Sequence, residues 1–177
     1  VQKAYAEKKL EIENWTSMVI SQRLMAAAQG VSFMPTRSII GSDMARENKD
    51  SFIVMDDPFG SGQKMGLVKA LAPDVAMLHG CMADPYGNTI LSAPYVDAIW
   101  AAAASKNGAM VTVEKLVSTD YIREHPGFVQ IPGYLVKSVS VAPLGGHPMW
   151  LHYEGLPGFE GYAGDYQFMD GYRKACA

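Results

Sequence analysis

Four clusters in the sequence carry residue types able to do chemistry. The first is Pro35-Thr36-Arg37, followed by Gly41-Ser42-Asp43. A guanidinium on a loop can hold a substrate carboxylate through two parallel hydrogen bonds. The Ser42 hydroxyl and nearby amides would serve the same anion. The bland alternative is an Arg37–Asp43 pair that pins the loop. The second cluster is His79-Gly80-Cys81 with the turn Asp84-Pro85-Tyr86-Gly87-Asn88. His79 ends an apolar run, so it is either a satisfied structural imidazole or a proton-transfer group. Cys81 in the same run reads as a small buried hydrophobe. The third is Glu114, one residue beyond the apolar run Met110 to Val113. A carboxylate there suits a site at a strand end or, equally, a helix start. The fourth is Pro143-Leu144-Gly145-Gly146-His147-Pro148, where adjacent glycines would let backbone amides approach an oxyanion or phosphate. His147 and His152 suggest a metal, but no third and fourth ligand stands at supporting spacing, so no metal is expected.

None of the standard local signatures occurs: no GxSxG, Walker A, GxGxxG or HExxH. The chain has 177 residues, 49% of them apolar and 19% charged, with a formal charge of −3. That is a globular composition of one domain's size, expected here to span residues 1–177. Basic residues are scattered, which excludes a nucleic-acid face. No apolar run approaches the roughly 18 residues of a membrane span. The two cysteines form no framework and point to a reducing compartment, hence the cytoplasm. The opening, with Lys3, Glu7, Lys8 and Lys9 close behind Val1, is neither a leader peptide nor a natural start, so a piece of a longer subunit is expected.

The elements that must position these clusters follow from periodicity. Residues 9–13 alternate as a short strand would. Trp15, Met18, Val19, Leu24 and Ala28 recur at helical spacing, with Thr16 or Asn14 as cap and Gly30 as stop. From Val31 to Gly66 the pattern fails among prolines and glycines, and long irregular loops are expected there. Strands are expected at 74–79, 89–91, 109–113 and 135–142, with helices at 96–106 and 119–124 and an irregular tail after Pro143. Strands alternating with helices predict an α/β fold with a mostly parallel sheet, and ligands then bind beyond the strands' carboxyl ends. On the residues alone the result is an α/β domain with Gly-rich strand-end loops.

The run Ala70 to His79 with Ala83-Asp84-Pro85-Tyr86-Gly87-Asn88 resembles the α-subunit signature of family I CoA-transferases, in the branch of the glutaconate CoA-transferase A-type subunits. Pro35 to Asp43, Val111-Thr112-Val113-Glu114-Lys115-Leu116-Val117, and Ile131-Pro132-Gly133 through His147-Pro148 agree with that family in order and spacing. The resemblance implies a NagB/RpiA/CoA-transferase-like three-layer α/β/α fold whose first strand–helix unit is missing here. It implies a β-type partner subunit, and an acyl-CoA and a carboxylic acid as substrates, with no bound cofactor. It implies a ping-pong exchange through a glutamyl intermediate. The nucleophilic glutamate of that branch lies on the partner. Glu13-Asn14-Trp15 does not match its motif, so no catalytic nucleophile is expected in this chain. Arg37, Ser42, Asp43, Glu13, His79, Glu114, Gly145, Gly146 and His147 are then expected to line the substrate pocket. A related group of the same fold hydrolyses a carbon–carbon bond in ring-derived CoA thioesters, where Glu13 and Arg37 would be the acidic and basic pocket residues. A third possibility is a non-catalytic ligand-binding module.

Overall fold

The computed structural model describes residues 2–176. They divide between Ala72 and Pro73 into two compact units. The first unit begins with a short helix α1 (Gln2–Ala6) and an irregular stretch. Helix α2 (Ser17–Ala28) follows, its first turn capped by Thr16, whose hydroxyl accepts from the Val19 amide. Gly30 sits beyond its end with φ +72°, the left-handed geometry that closes helices. Then come β1 (Phe33–Thr36), a five-residue helix α3 (Asp43–Glu47), β2 (Phe52–Asp56) and β3 (Lys64–Lys69).

These strands form an antiparallel sheet in the order β1-β3-β2. It differs from the long irregular loops expected over this region. Pro35 is tolerated because β1 is an edge strand, where a missing amide donor costs no ladder bond on its open side. Gly66 is required by packing, since a Cβ there would lie 2.5 Å from the Phe52 ring. Phe52, Val68 and Val19 form the core of this unit. The strand expected at 9–13 is not formed. Its alternation is real, but among the described residues no strand edge pairs with it, and Leu10 and Ile12 stay exposed. Arg23 is buried midway along α2. Its Nε donates to the Lys69 carbonyl, its guanidinium stacks over Trp15, and it pairs with Glu13 at 3.0 Å.

The second unit contains β4 (Ala76–Ala83), β5 (Thr89–Ile90), α4 (Val96–Ala104), β6 (Ala109–Leu116), α5 (Thr119–Glu124), β7 (Val136–Val141) and α6 (Tyr166–Ala175). Its sheet order is β5-β4-β6-β7, with β4, β6 and β7 parallel and β5 antiparallel to β4. This is the α/β pattern that the alternation of strands and helices predicts. Along β6, Ala109, Val111 and Val113 are buried, in one cluster with Ala102 of α4. Met110, Thr112 and Glu114 point to the other face. The register sets Met77, Met110 and Ser138 in one row across the sheet, and His79, Thr112 and Ser140 in the next. Asp84, fully buried, organises the turn after β4 by accepting from the Tyr86 and Asn88 amides and the Asn88 side chain. The tail expected to be irregular carries one helix, α6, which begins at Asp165, whose carboxylate accepts from the Phe168 amide.

Candidate functional site

His79 and Glu114 come together on one face of two neighbouring parallel strands, within the strands and short of their ends, because β4 and β6 run on to Ala83 and Leu116 where ends at 79 and 113 were expected. The parallel pairing sets His79 beside Thr112, and the two-residue period of β6 then puts Glu114 on the same face. His79 Nε2 lies 2.8 Å from Glu114 Oε1, and His79 Nδ1 lies 2.9 Å from Thr112 Oγ1. The Tyr162 hydroxyl donates to the same Glu114 oxygen at 2.8 Å. The Leu144 amide donates to Glu114 Oε2 at 2.7 Å. The Gly146 amide in turn donates to the Tyr162 hydroxyl oxygen. Both carboxylate oxygens of Glu114 are therefore occupied, and the pair is largely shielded, with side-chain exposures of 17% for His79 and 13% for Glu114.

The electrostatics follow from these contacts. Burial on its own raises the Glu114 pKa. The hydrogen bonds from Tyr162, His79 and Leu144 favour the ionised form and outweigh it, so the net shift is downward. Tyr162 moves the other way. Burial, and then its bond to the Glu114 carboxylate, push its phenol up to about 12. Burial, with the Glu114 charge nearby, pushes the Cys81 thiol up to about 12, which makes it an inert core residue.

Gly145 and Gly146 lie against this network. A Cβ on Gly145 would come 2.5 Å from His79 Cε1, and one on Gly146 would come 2.7 Å from the Tyr162 hydroxyl. The glycines thus let the backbone press onto the site. Their amides already have acceptors, the Ala142 carbonyl for Gly145 and Tyr162 for Gly146. His147 turns away to the start of α6, where it pairs with Asp165 at 3.3 Å and meets the Phe168 ring edge-on. Among the described residues no three His, Cys, Asp or Glu side chains come together in a way that could hold a metal ion. No helix among them is long and apolar enough to cross a membrane.

The remaining nominated residues lie in the first unit. Ser42 caps α3, donating to the Ile39 carbonyl and accepting from the Ala45 amide. Asp43 pairs with Arg46, not with Arg37. Arg37 is exposed and has no hydrogen bond or ion pair among the described residues. It lies inside a tight turn in which the Thr36 hydroxyl accepts from the Ser38 amide, and Ile39 and Gly41 both take positive φ. Glu13 is engaged by Trp15 and Arg23, and those hydrogen bonds lower its pKa.

Sequence reasoning missed two members of the network. Thr112 was legible in principle, since it stands two residues before Glu114 on one strand face. Tyr162 was not, because it comes from the Gly-rich tail, where an isolated bridge to Leu151 holds it and its hydroxyl reaches Glu114 on the sheet.

Comparison with known proteins agrees with the fold. The A-type subunit of glutaconate CoA-transferase from Acidaminococcus fermentans is 33% identical over 79% of this chain and 48% of its own. The cholesterol ring-cleaving hydrolase IpdA subunit of Rhodococcus jostii is 28% identical over 82% of this chain and 51% of its own. The crystal structure of glutaconate coenzyme A-transferase from A. fermentans superposes with a TM-score of 0.82 at 30% identity, covering 98% of this chain and 56% of that one. The chain thus spans about half the length of these relatives. Residues 1–142 match the family described as coenzyme A transferase, and the chain belongs to that family.

Proposed function

We propose that the chain forms part of the α-type subunit of a two-subunit CoA-transferase, which moves CoA between an acyl-CoA and a carboxylic acid. The observation that carries this reading is the state of Glu114. A carboxylate nucleophile needs a free oxygen aimed at the thioester carbon. Glu114, a shielded acid on β6, has both oxygens occupied. That occupancy supports what the resemblance implies, an attacking glutamate on a β-type partner, with this chain shaping the pocket. In that scheme the partner's glutamate attacks the acyl-CoA carbonyl and CoA thiolate leaves. The thiolate returns to the resulting anhydride to give a glutamyl-CoA thioester, which a second carboxylate resolves. Arg37, with no partner among the described residues, anchors a carboxylate of the acyl group.

Both units act as one subunit domain, in a heteromer located in the cytoplasm. Two free cysteines, one buried and one exposed, suit that compartment. The likeness to the ring-cleaving hydrolase supports a second reading, in which the assembled pair cleaves a carbon–carbon bond in a CoA thioester. Co-expression with a β-type subunit and an acyl-CoA panel decides between them. Transfer of CoA to an added carboxylic acid is the expected result. Consumption of a ring-derived CoA thioester with no acceptor acid would overturn it in favour of the hydrolase.

A further inference from the structure

Thr112, His79 and Glu114 stand in line on the open face of the second unit's sheet. Thr112 Oγ1 is 2.9 Å from His79 Nδ1, and His79 Nε2 is 2.8 Å from Glu114 Oε1. The Glu114 carboxylate only accepts, so Nε2 carries the proton. In the neutral imidazole the Nδ1 lone pair then faces the threonine hydroxyl. The rival acceptor for that hydroxyl, the Leu78 carbonyl, is 3.4 Å away, at the outer limit of a hydrogen bond. Hydroxyl, imidazole and oriented carboxylate at these separations are the parts of an activated alcohol nucleophile.

The hydroxyl is also reachable. A groove of about 280 Å³ runs over it, lined by Met77, His79, Met110, Thr112, Ser138 and Ser140. Met77 is 82% exposed and Met110 49%, so the floor offers two thioethers to an apolar chain. Ser140 is the register partner of Thr112 on β7, and its hydroxyl makes no hydrogen bond among the described residues. A hydroxyl donor beside Thr112 is what an oxyanion on an attacked carbonyl requires.

We propose that Thr112 is an acyl-accepting nucleophile, with His79 as its general base and Glu114 as the positioning carboxylate, acting on short activated acyl groups, thioesters or esters, that enter over Met77 and Met110. The Thr112 oxygen attacks the carbonyl carbon as its proton passes to His79 Nδ1. The tetrahedral intermediate collapses, the carbon–sulfur or carbon–oxygen bond breaks, and the leaving group takes that proton. Water then attacks the acyl-threonyl ester, again giving a proton to His79, and the carboxylic acid leaves with Thr112 regenerated. The sum is acyl thioester or ester plus water to acid plus thiol or alcohol, with no redox change.

The step uses residues of this chain only, so it is tested on the full-length subunit that carries it, without the β-type partner, and its failure leaves the transferase assay untouched. The probe is p-nitrophenyl acetate, followed by stopped-flow absorbance and peptide mapping of the quenched protein. The expected result is a burst of p-nitrophenol and an acetyl group on the peptide bearing Thr112. Thr112→Val keeps the side-chain shape and should abolish both, whereas Thr112→Ser should retain them. His79→Gln should slow the burst by about 10²–10⁴-fold, the usual effect of losing a general base. Absence of a burst from the folded protein, acetylation confined to lysines and Cys176, or a Thr112→Val burst at the wild-type rate would each overturn the proposal.

Discussion

Tyr162 and Glu114, 48 positions apart in the chain, are joined by a 2.8 Å hydrogen bond from the phenol to the carboxylate. The contact ties the C-terminal tail to the end of β6, and the same phenol oxygen accepts from the Gly146 amide. One hydroxyl thereby fixes the charged group of the site and the loop that covers it.

Removing that hydroxyl is the simplest test of its importance. Tyr162→Phe leaves the Gly146 amide without its acceptor and Glu114 with one donor fewer. A hydrogen bond to a charged group contributes about 1.5–3 kcal/mol. A loss of stability of that order is expected in urea unfolding, with the slope of the transition unchanged. Wild-type stability in Tyr162→Phe would show that solvent replaces the phenol at no cost.

Acid should loosen the same network, and the sign follows from Glu114. Its pKa is lower in the folded than in the unfolded chain. As pH falls, the unfolded chain takes up the proton first. The stabilisation is thus present above the ordinary glutamate value, about 4.3, and is lost as pH falls through the lowered folded value. Urea midpoints followed across that range should drop in the wild type. Glu114→Gln, which cannot ionise, should be less stable near neutrality and should lack this component of the acid loss.

Gly145→Ala probes the covering loop. Its Cβ would sit 2.5 Å from His79 Cε1 and 2.8 Å from the Ala142 carbonyl oxygen. The backbone oxygen cannot swing aside as a flexible side chain would, so the loop or the imidazole must shift. Overpacking of this kind costs about 1–3 kcal/mol. A lowered melting temperature and altered His79 ring resonances in NMR are expected. Unchanged imidazole shifts would mean that the loop alone relaxes.

Arg37→Lys separates anchoring from loop pinning. In the assembled enzyme, lysine keeps the charge but loses the planar two-point fork. We expect kcat/KM for acyl groups with a distal carboxylate to fall at least about tenfold, while simple acyl-CoAs suffer less. The melting temperature should stay put, because Arg37 has no partner among the described residues and Asp43 pairs with Arg46. Equal losses for both substrate classes with a lowered melting temperature would defeat the anchoring role.

The sequence by itself determined the local elements whose signals are local. The Thr16 cap and the helical spacing behind it define α2, and the apolar runs ending near His79 and Val113 define β4 and β6. Both strands run on past those points, to Ala83 and Leu116, and it is their parallel register that sets His79 beside Thr112 and one strand period from Glu114. Tertiary structure decided the rest. The alternating stretch 9–13 has the chemistry of a strand but found no edge to pair with, while Pro35 and Gly66 sit inside strands that the local rules disfavour. Strand pairing is a non-local event, and a residue's own neighbours do not encode which edge will be free. Tyr162 is the clearest case. Nothing in Gly161-Tyr162-Ala163 marks it, and it reaches Glu114 only because the tail folds back through the Leu151–Tyr162 bridge and Gly146 leaves room for its hydroxyl.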